Sequence, residues 1–468
     1  MAFTEFCCRS GGSNLNAGTR TGDSTVPGTT ADLTYASGTW VSATGVFTVA
    51  AGDPVADGVA VGDFASVYAD GASETTLVGR VTARTTTTIT VSTSVKSGTT
   101  TDGTSNRTLK IGGAWQGPNG AVKFPFAFVT NALTNSSANK PRVNFKNDAT
   151  YSISAAITHS NTQTYFEGFS TSYGDGGRFT VDGSTNAIVL LTISGVSCGI
   201  GSVVVSNNGA SGTNAGLVVS SNNGYIRNAV ANNIRGYGIS TSGASSLFLE
   251  ECEVYSCNTA GTANQGGFQL AHTGSASRCI SHHNSGTNNH GFVVTGLCVL
   301  DHCISDSNGG KGFYLGLSGG SFCHSCDAYN NGGDGFQQAL AGAAFMTRFE
   351  SCNAVKNGGY GINIGFAFGV IRNSGFGAGT QANTSGETGI PATSPIEVLG
   401  SVTYGADVTP WVDPANGDFR INLAAAKGAG RGTFTQTASS YAGTIGYPDI
   451  GAAQSTGSGG TTLIVIED

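Results

Sequence analysis

Between residues 216 and 361 seven pairs of a glycine and a following apolar residue recur at near-regular spacing: Gly216-Leu217, Gly238-Ile239, Gly267-Phe268, Gly291-Phe292, Gly312-Phe313, Gly335-Phe336 and Gly361-Ile362. The intervals are 22, 29, 24, 21, 23 and 26 residues. A period of that length marks a repeat architecture, in which no unit buries its apolar face alone and neighbours must stack to make a core.

A second register fixes the kind of repeat. Cys252, Cys279, Cys303, Cys326 and Cys352 recur at intervals of 27, 24, 23 and 26, and the last four are followed five residues on by Asn284, Asn308, Asn331 and Asn357. Around the cysteines the pattern repeats as Leu249-Glu-Glu-Cys252-Glu-Val254, Leu300-Asp-His-Cys303-Ile-Ser305 and Phe349-Glu-Ser-Cys352-Asn-Ala354. Positions three before, at and two after the cysteine point inward; the polar pair between them faces out, so the chain bends there. Short period-two strands ended by Asn or Gly exclude helical repeats. The fold that satisfies both registers is an all-β solenoid, the parallel β-helix, with rungs about 4.8 Å apart. Phe268, Phe292, Phe313 and Phe336 then form an internal stack beside the cysteine column, and the four asparagines form a hydrogen-bonded turn ladder.

The chain has 468 residues, with 22 Lys+Arg against 29 Asp+Glu, a net charge of −7. That balance offers no basic footprint for nucleic acid. Charged residues make up 11% and glycines number 72; so few charges and so many turn formers suit a β protein. The opening Met1-Ala-Phe-Thr-Glu-Phe6 has neither a basic nor an apolar signal region, and no run approaches the roughly 18 apolar residues of a membrane span. The expected location is a virion or the cell surface, reached by lysis or a dedicated exporter. The eleven cysteines mostly occupy equivalent places in the coils, where a thiol acts as a small buried hydrophobe.

Along the chain, residues 1–19 hold an opening strand, Phe3 to Cys8, and a Gly-Gly-Ser-Asn-Leu-Asn-Ala-Gly-Thr cap. Residues 20–105 lack the coil signature and suggest a small inserted β module, with strands at Gly45–Ala50, Phe64–Tyr68, Thr76–Val81 and Thr88–Val91. Residues 106–140 include a short capping helix, Phe124 to Leu133, over the open end of the stack. Coils occupy 141–380, an irregular closing segment 381–454, and a flexible linker with a tail strand 455–468. The tail residues Leu463, Ile464, Val465 and Ile466 are candidates for assembly by strand pairing.

These features resemble right-handed parallel β-helix proteins of the pectate-lyase-like superfamily. The likeness rests on the opening strand and cap, on Gly168-Phe-Ser-Thr-Ser-Tyr-Gly-Asp-Gly-Gly-Arg178, on the coils, and on Pro448-Asp-Ile-Gly-Ala452, which is similar to a terminal element of bacterial surface β-helices. The superfamily includes pectate lyases, polygalacturonases, phage tailspikes and non-enzymatic fibre proteins, so the resemblance implies a fold and leaves the activity open. Of the polygalacturonase motifs only His290-Gly291 is present, and no dense aspartate cluster with a nearby lysine suggests a calcium-dependent lyase.

The position two before each ladder cysteine holds Glu250, Ser277, Asp301, His324 and Glu350, and the next adds Glu251, Arg278 and His302. The catalytic candidates are Asp301, His324 and Glu350. Asp301 and Glu350 lie two rungs apart, about 9 to 10 Å by the rung spacing, near the upper edge for an inverting glycosidase. A zinc site built on Cys323-His324-Ser325-Cys326 with His302 and His282-His283 is disfavoured, because the two cysteines point inward and the histidine outward. No cofactor and no metal is expected, and His159, His272 and His290 are expected to be solvated. The leading expectation is a non-enzymatic structural subunit of a fibre or tailspike-like assembly, a homo-oligomer as trimer or filament. The alternatives are a lyase or glycosidase acting on a cell-surface polysaccharide, and a glycan-binding module without cleavage.

Overall fold

The computed structural model describes residues 2–19, 26–72, 77–96, 103–123, 125–126, 129, 139–209, 213–262, 265–316, 320–338, 346–365, 369–390 and 396–423. The chain is a right-handed parallel β-helix with a small antiparallel β module near its N-terminus. It divides into two compact units, Met1–Gly209 with Leu217–Val230, and Ala210–Gly216 with Ala231–Asp468.

In the first unit, Leu33–Val41, Val46–Thr48, Phe64–Ala69, Leu77–Arg84, Thr88–Lys96 and Gly103–Ile111 close into a small antiparallel barrel. Its core holds Tyr35, Trp40, Phe47, Val67, Ile89 and Leu109. Alternating Thr and Val place one face inward, and closure removes the exposed edges a lone sheet would leave. Phe6 links the solenoid to the module: it meets Phe64 of the barrel edge-on at 4.9 Å and stacks on the Trp115 ring at 5.0 Å, and the Trp115 indole N–H donates to the Asn16 carbonyl at 2.8 Å. The cap motif fits around this ring, since a Cβ on Gly18, whose φ is +85°, would lie 2.6 Å from the indole. Ala2–Cys8 then pairs in parallel with Asn139–Lys146, which pairs with Tyr165–Phe169 and so on to Gly199–Gly201 and Tyr225–Arg227.

Residues 170–177 form a loop held by one carboxylate. Asp175 accepts the backbone N–H groups of Ser170, Thr171, Ser172 and Gly177 at 2.7 to 3.0 Å. This accounts for the aspartate in the Gly168–Arg178 motif.

In the second unit the coils carry three strand ladders. Phe313–Leu315, Phe322–His324 and Asp327–Tyr329 form one turn, each in parallel register with its equivalents before and after. Phe268, Phe292, Phe313 and Phe336 are fully buried and stack at 4.8, 4.8 and 4.6 Å with rings within 7° of parallel. Isolated aromatic pairs prefer offset or edge-on contact; here the ladder spacing imposes the parallel stack. All eleven cysteines are free and buried. The thiols of Cys252, Cys279, Cys303, Cys326 and Cys352 lie 3.3 to 3.5 Å from backbone carbonyls two residues before them. Burial pushes the thiols of Cys279, Cys323 and Cys326 well above their ordinary range.

The bend before each ladder cysteine is made by one left-handed residue. Glu251, Arg278, His302, Ser325 and Ser351 have φ of 54°, 51°, 51°, 50° and 56°. Each costs roughly 1 kcal/mol of backbone strain, and the stacked ladders on either side hold it there. A second left-handed column, Ser256, His283, Ser307, Asn330 and Lys356, precedes Cys257 and the asparagine ladder.

Among the described residues there is no α-helix, only the 3-10 turns Gly379–Gln381 and Pro414–Asn416. Of the segment expected as a capping helix, Pro125, Phe126 and Val129 are described, and the Val129 N–H donates to the Pro125 carbonyl at 3.0 Å; the rest lies outside the described residues. The closing motif at 448–452 and the tail residues Leu463, Ile464, Val465 and Ile466 also lie outside them. Before those, Trp411–Asp413 and Asp418–Ile421 form a hairpin that lays Trp411 and Phe419 against Tyr329. No helix among the described residues is long and apolar enough to cross a membrane.

Candidate functional site

Parallel register aligns one outward column on the second unit. Glu250 pairs with Ser277, Ser277 with Asp301, Asp301 with His324, His324 with Glu350 and Glu350 with Arg372. Because strand side chains alternate, the residues two positions earlier share the same face. That neighbouring column runs Phe248, Ser275, Val299, Phe322, Arg348 and Val370. Phe248 is 57% exposed and Val299 42%, while Phe322 is half-buried. An apolar strip thus lies directly beside a titratable one.

At the centre, Asp301 Oδ1 meets His324 Nδ1 at 2.8 Å and His302 Nδ1 at 3.0 Å. His324 comes from the next rung, whereas His302 reaches the same oxygen because its left-handed backbone turns its ring back over the face. Burial raises the pKa of the Asp301 carboxyl, but the hydrogen bonds from His302 and His324 outweigh it and hold the group well below the usual carboxylate range. Glu350 is buried and pairs with Arg348 at 2.8 Å, and the Arg348 guanidinium lies 5.1 Å from the Phe322 ring centre. Farther along, Arg278 bridges Glu250 and Glu251.

The structure therefore brings Asp301 and His324 into contact and sets Glu350 one rung beyond, bound to an arginine. The Asp301 carboxylate orients two imidazoles, an arrangement that can relay a proton or bind a cation. Sequence reasoning left His302 out of the candidate set and did not consider Phe322 or Arg348. The signal was available: Phe322 and Arg348 sit two residues before His324 and Glu350, on the same face of a strand.

Cys323 and Cys326 are fully buried, so they do not join the histidines. His282 belongs to another sheet, where it bonds Glu253 at 3.0 Å and stacks on Tyr255. Two histidines expected in solvent are instead interior. His159 is fully buried between the Phe126 carbonyl and the Thr164 hydroxyl. His290 is 1% exposed, accepts the Lys311 backbone N–H at Nδ1, and is pushed down to about 3 by burial and then by the Lys311 charge. Both side chains occupy inward or turn-facing sites that a glycine-neighbour reading does not resolve. The His272 side chain is not among those described.

A second polar cluster lies in the first unit. Arg142 forks onto Glu5 at 2.7 and 3.0 Å, and Asn144 donates to Glu5 at 2.6 Å. Glu167, one rung on, is 9% exposed, and Tyr165 and Tyr225 stack at 5.7 Å. Burial pushes the Glu167 carboxyl up, against the opposing effects of Ser202, Arg227 and Arg142. Gly201 makes room for it, since a Cβ there would lie 2.5 Å from Glu167 Oε2. These residues come from separate strands with no shared motif, so the sequence carried no signal for them.

No protein-family model matches the chain. No curated protein matches it either. Solved structures similar to it include the pectate lyase Pel9A, at 14% identity over 73% of this chain and 96% of that one, with a TM-score of 0.45. The A-module of the Azotobacter vinelandii mannuronan C-5 epimerase AlgE4 matches at 14% identity over 57% and 80%, with a TM-score of 0.46. Tailspike protein 2 of the Escherichia coli O157:H7 bacteriophage CAB120 matches at 13% identity over 64% and 40%, with a TM-score of 0.35.

Proposed function

We propose that this protein is a structural β-helix of a virion or extracellular surface assembly, tailspike- or fibre-like, that engages a polysaccharide on the outward face of its second unit. The observation that carries the reading is the apolar strip of exposed Phe248 and Val299 and half-buried Phe322, lying in register beside Glu250, Asp301 and His324. Sugar rings present apolar faces and hydroxyl edges, and an aromatic strip beside carboxylates and imidazoles meets both. The stacked core supplies a rigid platform for such a face. A glycan array followed by calorimetry tests the reading: Phe322→Ala and Phe248→Ala should each weaken binding on the order of tenfold. Unchanged affinity in the double variant rejects this face.

Self-association through Leu463, Ile464, Val465 and Ile466 is the assembly route in this reading, drawn from the sequence alone. Deleting residues 461–468 should reduce particle size by light scattering. A size unchanged by the deletion removes the tail as the connector.

A second reading, cleavage of the bound glycan, is favoured by the contact of Asp301 with two imidazoles. Reducing-end and unsaturated-uronate assays on acidic and neutral glycans decide between binding and cleavage. Activity that persists in both Asp301→Asn and Glu350→Gln excludes this site.

A further inference from the structure

We infer that Asp301, His302 and His324 form a binding site for a divalent transition-metal cation such as Zn²⁺. Their ligand atoms all lie within 4.8 Å of one another, the group among the described residues that converges in this way. The proposal concerns the metal alone and stands whether or not the face binds a glycan.

The geometry is close to what an ion requires. The two Nδ1 atoms lie 2.8 and 3.0 Å from a shared Asp301 Oδ1. Around an ion with bonds of about 2.0 to 2.1 Å, tetrahedral ligand atoms sit about 3.3 Å apart. The Asp301 contacts need to open by only a few tenths of an ångström, and the two imidazole nitrogens, within 4.8 Å of each other, close on the ion by side-chain rotation; each Nδ1 then turns a lone pair to the ion where it now holds an N–H toward the carboxylate.

The scaffold holds the ligands on ladder strands and a fixed bend. The His302 N–H donates to the His324 carbonyl at 3.0 Å, Arg278 N–H to the Asp301 carbonyl at 2.9 Å, and Ser325 N–H to the Glu350 carbonyl at 2.9 Å. On one side the Phe322 ring packs 5.8 Å from His324. On the other, Glu350 follows His324 in register and adds negative charge near the ion, although Arg348 partly offsets it. The side chains of Asp301, His302 and His324 remain 32%, 20% and 11% exposed, so solvent can fill the remaining coordination position. A site with three protein ligands and one open position can present a bound water or a substrate oxygen to the ion.

The donor set selects the class of metal. Two imidazoles and one carboxylate suit Zn²⁺, Ni²⁺ or Cu²⁺. Ca²⁺ and Mg²⁺ require mostly oxygen ligands, which this trio does not supply.

The test uses the full chain after chelator treatment and dialysis, titrated with Zn²⁺, Ni²⁺ and Ca²⁺ separately by calorimetry, with Co²⁺ absorption as a spectroscopic readout. The expected result is saturable binding of Zn²⁺ and Ni²⁺ but not Ca²⁺, and a Co²⁺ spectrum of nitrogen and oxygen ligation. His302→Ala and His324→Ala should each weaken Zn²⁺ binding by on the order of tenfold or more. Asp301→Asn, which keeps the shape and loses the charge, should weaken it as well. Folding of each variant is checked by circular dichroism and thermal melting in chelator. A His282→Ala/His283→Ala variant, altered in the other sheet, should bind as the parent does. Zn²⁺ binding retained in the His302→Ala/His324→Ala double variant, or absent from the parent, overturns the proposal. Glycan binding measured in chelator keeps the two questions separate.

Discussion

Asn308 Nδ2 donates to Asn331 Oδ1 at 3.0 Å across one rung, and the Asn308 backbone N–H points to the same oxygen at 3.2 Å. Asn331 repeats both contacts with Asn357 at 3.0 and 3.1 Å, and Asn357 with Asn383 at 2.9 and 3.0 Å. Each amide sits against the glycine of the opposite register: a Cβ on Gly312 would lie 2.9 Å from Asn331 Nδ2, and one on Gly335 would lie 2.9 Å from Asn357 Nδ2. The Gly-apolar and asparagine repeats are thus two sides of a single device, a buried amide ladder that fits only where its neighbour has no side chain.

Replacing Asn331 tests that ladder. Asn331→Ala takes the shared acceptor from the Asn308 backbone N–H and amide and removes the amide donor to Asn357 Oδ1 and the Ser305 carbonyl in a buried turn, at an expected cost of about 2 to 4 kcal/mol in denaturant unfolding. Asn331→Asp should destabilise more than alanine, because a carboxylate cannot donate to Asn357 Oδ1 or to the Ser305 carbonyl. Equal stability of the aspartate variant and the parent contradicts this account.

The phenylalanine stack makes a separate prediction. Phe313 lies between Phe292 and Phe336, fully buried. Phe313→Ala should cost about 3 to 5 kcal/mol through lost contacts and a residual cavity. Phe313→Leu, which keeps most of the volume, should cost about 1.5 kcal/mol or less. Chemical unfolding of the two variants measures the difference.

Asp175 predicts a pH dependence. Burial raises its pKa, but the four backbone N–H groups together outweigh it and hold its carboxyl well below the usual range. A depressed folded pKa means its contribution is fully present above the unfolded value of about 3.9 and fades as pH falls toward the folded one. Asp175→Ala should therefore lower the melting temperature at pH 7, by about 1 to 2 kcal/mol equivalent for a lost multi-donor cap. The gap to the parent should shrink on acidification below pH 3.9. A gap that stays constant down to strong acid places the effect elsewhere.

Glu167 should behave in the opposite sense. Its folded pKa is raised by burial, so the folded state holds the proton more tightly than the unfolded chain. Stability then falls as pH climbs from the unfolded value of about 4.3 through the raised folded one. Glu167→Gln removes that penalty, and its melting temperature relative to the parent should be higher at pH 7 than at pH 4. A difference independent of pH means that Glu167 does not titrate abnormally.

Thiol accessibility gives a fifth measurement. All eleven cysteines are free and buried, and burial raises the pKa of Cys7 and Cys257 to about 12. A thiol-reactive dye should label the native protein slowly and reach eleven equivalents in denaturant. Fast labelling of the native chain contradicts the buried cysteine column.

Periodicity made the coils legible because each rung repeats one environment. Leu249, Cys252 and Val254 are at most 1% exposed, as the spacing around the cysteine requires. The barrel strands expected at Phe64–Tyr68 and Thr88–Val91 were visible as short apolar or β-branched runs: Thr88–Val91 alternates in burial, whereas Phe64–Tyr68 is buried throughout. Leu33–Val41 was not, since Ser37, at φ +55°, and Gly38 interrupt its alternation where its register with Gly103–Ile111 shifts.

Asn383 completes the amide ladder yet follows no ladder cysteine, so the five-residue spacing gave no pointer to it. The left-handed bends were placed by the outward polar pairs, but nothing in Glu251 or His302 announces a positive φ. Ordinary residues accept that conformation only because parallel strands on both sides already fix their neighbours.

Sequence alone determined the solenoid, its inward Phe and Cys columns and its asparagine turns, since those properties repeat locally from coil to coil. It also narrowed the candidate face to Asp301, His324 and Glu350. Only the tertiary structure decided what that face is. Parallel register brought His324 to Asp301, a left-handed backbone turned His302 onto the same oxygen, and alternation set Phe322 and Arg348 beside them. The Asp301–His324 and Phe322–Arg348 contacts join residues more than twenty positions apart, and their distances follow from the stacking of rungs.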